Sequence, residues 1–178
     1  MEKNGLIKIG VVGAESTGKS ELCEKMAAHF NTLWVPEYAR EYFNHSSIYQ
    51  YTLLDLERIL EQQLTWETEY ARKANRLLFC DTTAITLKIW AELEFSNCPQ
   101  SIGQAVQQQN YDFYLICNND IDWQADPLRQ NKFSRDLIFQ MNLTEVKKTK
   151  TAYEIIKGTN DLRLNMAIQS IEKRFKHK

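Results

Sequence analysis

Short apolar runs alternate along the chain with longer stretches in which apolar positions recur every three or four residues. Residues 6–12 form the first run, broken only by Lys8 and Gly10, and their Ile and Val content predicts a buried strand. Residues 19–30 carry Leu22, Met26, Ala27 and Phe30 at helical spacing, and residues 32–35 read as a second strand that Pro36 stops. In residues 53–74 the positions Leu56, Leu60, Leu64 and Ala71 fall on one helix face, with Ile59 and Gln63 beside them. A third strand is predicted at 76–80, with Asp81 at its exit. Residues 83–95 are apolar on most sides, which predicts a helix covered by something beyond the sheet. A glutamine-rich helix at 102–109 and a fourth strand at 113–117 follow. Residues 118–133 are polar, contain Pro127 and read as a loop or mobile flap. A helix at 134–149, a fifth strand at 153–157 and an amphipathic helix at 160–175 complete the chain, which shows no internal repeat and no linker.

Strands alternating with helices predict an α/β protein with a parallel sheet covered on both faces. In such sheets ligands bind beyond the carboxyl ends of the strands. Polar residues cluster at those places: Glu15 to Ser20, Glu37 to Arg40, Asp81 to Thr83, Asn118 to Asp126 and Gly158 to Asp161. The chemistry is therefore expected along one edge of the sheet.

The first of these clusters is the most specific. Gly13, Ala14, Glu15, Ser16, Thr17, Gly18, Lys19 and Ser20 fit the pattern G-x-x-x-x-G-K-[ST] without a mismatch, between a predicted strand and a predicted helix. Such a loop turns consecutive N–H groups onto one anion at a helix N-terminus. Lys19 can then reach the β- and γ-phosphates of a nucleoside triphosphate, and the Ser20 hydroxyl can coordinate Mg²⁺. The guanine-reading N-K-x-D sequence of GTPases is missing, since 118–122 read Asn-Asn-Asp-Ile-Asp. The third strand ends in one acid followed by hydroxyls, Asp81-Thr82-Thr83, whereas a motor or AAA-type ATPase usually ends it in paired acids. One carboxylate suffices for Mg²⁺, and Asp81 also reads as a helix N-cap. Small size, one phosphate loop and a flap after strand four point to a small-molecule kinase.

The second strand leads into Val35-Pro36-Glu37-Tyr38-Ala39-Arg40, where Glu37, Tyr38 and Arg40 are candidates to face an acceptor. Glu37 can accept hydrogen bonds from sugar hydroxyls or the proton of an attacking hydroxyl, although a solvated Glu–Arg pair on a helix face remains open. In the flap, Trp123 among three acids suits a flat cation. Arg129 and Arg135 are candidates to swing over the transferring phosphate, with Arg135 and Gly158 assigned to the nucleotide. Trp34, Trp66 and Trp90 lie in a strand or helices and are read as core or partly buried.

Composition removes several classes of function. The chain has 178 residues, 22 Lys plus Arg against 23 Asp plus Glu and a net charge of −1, so no overall field draws it to nucleic acid or an anionic membrane. No apolar stretch reaches the length of a membrane span, and the N-terminus lacks the apolar core of a signal peptide. Cys23, Cys80, Cys98 and Cys117 form no C-x-x-C pair, and with three histidines they offer no zinc spacing; reduced structural thiols in a cytoplasmic protein are expected. One domain over 1–178, with a flap at about 118–135, is the expectation from length.

Four stretches, GAESTGKS, VPEYAREY, LLFCDTT with TLKIWAE, and YDFYLICNNDIDWQADPLRQN, resemble the nicotinamide riboside kinase domain of NadR-type proteins. The resemblance runs from the first strand through the flap and weakens after Arg135; E-Y-A-R-E-Y and W-x-x-D-x-x-R are its specific parts. It implies a three-layer P-loop kinase fold with strand order 2-3-1-4-5. It also implies transfer of the γ-phosphate of ATP, with Mg²⁺, to the 5′-hydroxyl of nicotinamide riboside, giving nicotinamide mononucleotide. By position, Gly13 to Ser20 would bind ATP phosphates and Ser20 with Asp81 would hold the metal. Glu37, Trp123 and Asp126 would face the riboside, whose ring is a pyridinium, and Arg129 would be a lid residue. Lys19 and Arg129 would then meet phosphate charge, and either Glu37 or Asp81 would accept the proton. Two departures stand out. Relatives often carry D-T-D where this chain has Asp81-Thr82-Thr83, and the upstream adenylyltransferase domain with its H-x-G-H motif has no counterpart here, so kinase activity alone is expected. Another nucleoside or small-alcohol kinase, and a regulatory ATP-binding module using the apolar 83–95 helix as a partner surface, are the alternatives. That helix could equally bury a homo-oligomer contact or simply core.

Overall fold

The structure is a computed structural model that describes residues 5–44, 51–124 and 134–176. Five strands, β1 (Ile7–Gly13), β2 (Leu33–Val35), β3 (Leu77–Asp81), β4 (Phe113–Cys117) and β5 (Tyr153–Ile156), pair in parallel in the order β2-β3-β1-β4-β5. Among the described residues seven helices accompany them: α1 (Lys19–His29), α2 (Tyr38–Asn44), α3 (Leu53–Lys73), α4 (Ala84–Phe95), α5 (Gln100–Gln108), α6 (Arg135–Thr149) and, after the last strand, α7 (Asn160–Phe175). This is the expected order, and it places β1 at the centre, between β3 and β4.

Alternation along the strands sorts the core into two layers. Ile7, Ile9 and Val11 of β1 meet Leu22 and Met26 of α1 and Ala167 and Ile171 of α7 on one face. Leu78 and Cys80 of β3 and Tyr114 and Ile116 of β4 meet Ala71 of α3, Ile85 and Ile89 of α4 and Ile138 of α6 on the other. All four cysteines are free thiols, three of them buried. No helix among the described residues is long and apolar enough to cross a membrane.

A third cluster explains the helix that is apolar on most sides. Ile85 and Ile89 of α4 face the sheet, whereas Ala84, Leu87 and Ala91 pack with Ala39 and Phe43 of α2, Leu56, Ile59 and Leu60 of α3 and Ile102 of α5. The cover beyond the sheet is thus other helices of the same chain, and core is the outcome for α4.

Three details differ from the sequence expectation. The seven-residue helix α2 is not among the predicted elements, although a helix face for Glu37 and Arg40 was one open reading, because so short an element has only the pair Ala39 and Phe43 to mark its buried side. Helix α5 begins at Gln100, directly after Pro99. In α3 the buried stripe is Leu56, Ile59, Leu60, Gln63, Glu67 and Ala71, while Leu64 is 40% exposed. At about 100° per residue that stripe spans an arc of about 120°, and Leu64 falls just beyond its edge. Glu67 is admitted because Lys8 pairs with it at 3.0 Å and the Tyr111 hydroxyl donates to it at 2.6 Å.

Candidate active site

The chain leaves β1 through a loop whose backbone only certain residues tolerate. Gly13 has φ +147°, and a Cβ there would lie 2.7 Å from the Cys117 carbonyl oxygen. Ser16 (φ 56°) and Gly18 (φ 71°) are left-handed, and Gly18 is the N-cap of α1. These reversals wrap the loop around one point in front of the helix N-terminus, the geometry of an anion cradle. Inside it the Thr17 hydroxyl and the Lys19 ammonium both donate to the Ala14 carbonyl, at 2.7 and 2.9 Å.

The register of β1 against β3 sets Val11 beside Asp81, which carries the last strand carboxylate to the floor of the loop. The Ser20 hydroxyl donates to Asp81 Oδ2 at 2.5 Å, and Asp81 Oδ1 is buried without a partner among the described residues. Asp81 has no solvent exposure. Its pKa is pushed up to about 6, first by burial and then by the charge of Glu37, against the pull of Lys19, Ser20 and Arg40. A hydroxyl and a half-satisfied carboxylate are hard oxygen donors of the kind Mg²⁺ takes, with its remaining positions left to water and phosphate. The residues present therefore fit that ion. Asp81 is not the helix N-cap: α4 begins at Ala84, and Thr83 caps it by accepting the Ile85 N–H at 3.3 Å. Thr83, two positions after Asp81, is thus a buried capping hydroxyl.

At the exit of β2, Glu37 and Arg40 form an ion pair at 3.3 Å, and both line a cavity that begins at the phosphate loop. Gln63 of α3 holds this segment in place. Its side chain accepts the Tyr38 N–H at 2.8 Å and donates to the Pro36 carbonyl at 3.2 Å. The Tyr38 ring instead packs edge-on against Trp66, centroids 4.8 Å apart, and is not on the cavity wall.

Beyond β4, residues 118–124 are tied to the loop. The Ser16 hydroxyl accepts the Gln124 N–H at 2.8 Å, and the Arg135 guanidinium donates to the carbonyls of Ser16 and Ile121 at 3.1 and 2.9 Å. Arg135 therefore braces the loop rather than facing the cavity. Trp123 is partly buried and off the cavity wall. Asp126 and Arg129 lie outside the described residues. Gly158 (φ +85°) turns the chain after β5 with its N–H on Asp120 Oδ2 at 2.8 Å, and the following Thr159 and Asn160 line the cavity.

Sequence reasoning missed Arg163. Only 4% exposed, it donates to the carbonyls of Thr17, Gly158 and Asn118 at 2.7, 2.8 and 3.0 Å and pairs with Asp120 at 2.5 Å. One guanidinium thus joins the phosphate loop to the exits of β4 and β5. An arginine within a mixed helix gives no sequence signal for this.

The cavity has a volume of about 740 Å³ and runs from the loop past Asp81 into a second arm between α4 and α6. Thr86, Ile89, Trp90 and Leu93, one face of α4, stand on one side of that arm, and Ile138 and Asn142 of α6 also line it. The Trp90 indole N–H donates to the Tyr51 hydroxyl at 2.6 Å, which fixes the ring. The tryptophans on the cavity wall are Trp34 and Trp90. The site therefore holds an anion cradle and an aromatic-walled chamber, with Asp81 and Glu37 in the same cavity.

Comparison with known proteins agrees with this geometry. The trifunctional NAD biosynthesis/regulator protein NadR of Salmonella typhimurium is 29% identical over 146 residues, which are 79% of this chain and 35% of that protein. The chain thus spans about a third of the length of that relative. A crystal structure of a NadR protein in complex with NR superposes with a TM-score of 0.81 at 20% identity, covering 99% of this chain and 52% of that one. A NadR structure in complex with NAD and AMP-PNP gives 0.78 at 19% identity, covering 98% and 51%. A family profile described as an AAA domain matches residues 8–163. The chain belongs to this AAA-domain family of P-loop proteins and is homologous to NadR.

Proposed function

We propose that the protein is a kinase that transfers the γ-phosphoryl group of ATP to the 5′-hydroxyl of nicotinamide riboside. The observation that carries this reading is one continuous cavity joining the phosphate cradle to an aromatic-walled chamber, with the carboxylates of Asp81 and Glu37 among its lining residues. Similarity to NadR, one of whose structures contains NR and another AMP-PNP, supports the choice of acceptor and donor.

In this mechanism the backbone N–H groups of 13–18 hold the β-phosphate, and Lys19 leaves the Ala14 carbonyl to meet the γ-phosphate. Ser20 and Asp81 would hold Mg²⁺, which neutralises charge on the β- and γ-phosphate oxygens when bound. Glu37, on the acceptor side, takes the proton of the 5′-hydroxyl as the new O–P bond forms; the bond from the γ-phosphorus to the bridging oxygen breaks and ADP leaves. Asp81 is the weaker candidate for that proton, because one of its oxygens is already committed to Ser20. The pyridinium ring is assigned to the chamber walled by Trp90, where a cation over an indole gains about 0.5–2 kcal/mol. Arg129 would add charge over the transferring group. Most of the rate gain in such a site is positioning and electrostatics.

The test is a coupled assay with Mg-ATP and nicotinamide riboside, run beside cytidine, deoxyadenosine and no acceptor, with products identified by mass. Riboside-dependent ADP with nicotinamide mononucleotide as product is expected. Lys19→Ala should lower turnover by about a hundredfold or more with the thermal melt unchanged. ADP formed only with another nucleoside would move the substrate, and ATP binding without acceptor-dependent ADP would sink the kinase reading.

A further inference from the structure

Two buried polar atoms of α4 and α6 have no partner among the described residues, although the residues that carry them line the cavity. Asn142 is 1% exposed, and its Nδ2 donates to the Ile138 carbonyl at 2.8 Å. A carbonyl can be met only by the N–H side of an amide, so this bond fixes the orientation of the group. The remaining atom, Oδ1, is then an acceptor, buried and unpartnered among the described residues. Thr86 Oγ1, on α4, is likewise buried and unpartnered among the described residues. Both residues line the cavity, as do Ile89, Leu93 and Ile138. An unmet acceptor in an apolar wall is unfavourable in the empty protein, and the deficit disappears when a ligand supplies the donor. The two helices that carry the pair are held together by Lys88 and Glu145, 2.7 Å apart, so the arm has walls that keep their spacing.

The requirement is specific. Asn142 Oδ1 needs an N–H or O–H from the ligand, whereas the Thr86 hydroxyl can donate. A planar group offering one N–H and one carbonyl oxygen, beside a ring that packs on apolar side chains, satisfies both: a primary carboxamide on an aromatic ring. We propose that Thr86 and Asn142 recognise the carboxamide of the acceptor, its N–H donating to Asn142 Oδ1 and its carbonyl accepting from the Thr86 hydroxyl. This inference rests on the proposed riboside acceptor and adds the means by which it is told from close analogues. A carboxylate in the same place has no N–H and sets a negative charge against the Asn142 oxygen. A methyl ketone keeps the half that Thr86 reads and loses the half that Asn142 reads.

The experiment measures kcat/KM for nicotinamide riboside, nicotinic acid riboside and 3-acetylpyridine riboside, all of which carry the same charged ring. It uses the unaltered protein, Asn142→Leu and Thr86→Val, with binding of a fluorescent ATP analogue as the check that each variant is folded. The unaltered protein should prefer nicotinamide riboside over both analogues by about tenfold or more, the scale of one buried hydrogen bond. Asn142→Leu should erase the preference over the ketone, and Thr86→Val should weaken the carboxamide and ketone substrates alike. Equal use of all three ribosides by the unaltered protein, or an ATP-binding Asn142→Leu that keeps the preference, overturns the inference while the kinase reading stands. Turnover of none of them overturns both. If Asn142→Leu fails to bind the ATP analogue, the analogue series on the unaltered protein decides alone.

Discussion

Asp81 shows how one residue can be set against the stability of the fold for the sake of the site. It lies in the interior with one oxygen unpaired among the described residues and its pKa pushed up to about 6, against an ordinary 3.8. A carboxyl whose folded pKa is raised stabilises the folded state fully below its unfolded value, and that contribution is lost as the pH rises through the folded value. Between about pH 4 and 6, therefore, the protein loses the stability associated with neutral Asp81. Asp81→Asn should melt at a higher temperature than the unaltered protein at pH 8, by the equivalent of about 1–3 kcal/mol, and the advantage should vanish below pH 4. The same variant should lose phosphoryl transfer, since an amide is a poor ligand for a hard cation. A thermal melt across pH, run without nucleotide, checks the first part. At this scale the loop and Asp81 were legible in the sequence because spacing alone specifies them. Trp90, Asn142 and Arg163 were not, since a tryptophan, an asparagine or an arginine within a helix carries no mark of what lies opposite.

Among the elements, α3 does the most positioning for its distance from the chemistry. Its buried stripe includes Gln63, which satisfies one carbonyl and one N–H on either side of Glu37. Replacing it with Leu would retain most of the volume and strand both backbone groups. A loss of about 2 kcal/mol, within the usual range for unmet buried groups, is expected in urea unfolding, together with a fall in kcat that exceeds any rise in the KM for ATP. An unchanged kcat would show that Glu37 does not depend on this brace. The helical period made α3 legible and placed Gln63 beside the stripe, but its partners are 25 and 27 positions away in the chain, beyond any local pattern. Helix α4 was read as apolar on most sides, and that reading implied its cover without naming α2, α3 and α5 as the elements that provide it.

For the molecule as a whole, Arg163 is the link between segments that the sequence presents as separate clusters. Its bond to the Thr17 carbonyl spans 146 positions and ties α7 to the phosphate loop, while its other bonds hold the turns after β4 and β5. Arg163→Lys keeps the charge and gives up the planar fork. We expect it to raise the KM for ATP by about tenfold, the scale of a lost charge-assisted hydrogen bond, with little change in the KM of the acceptor, whose proposed site is the arm between α4 and α6. Steady-state kinetics with each substrate varied in turn distinguishes this from a general loosening of the fold, which would move both constants.

The strands, most of the helices and the phosphate loop were determined by the sequence on its own, because hydrophobic period and backbone chemistry act over a few residues at a time. The alignment of polar clusters along one edge followed too, since parallel strands all end on the same side. What only the tertiary structure decided is where distant segments meet: that Asp81 is buried within reach of the charges of Glu37 and Lys19, that Arg135 braces the loop, and that Trp90 rather than Trp123 lines the cavity. Burial and partnership are properties of the packed interior, set jointly by all the surfaces that close around a group.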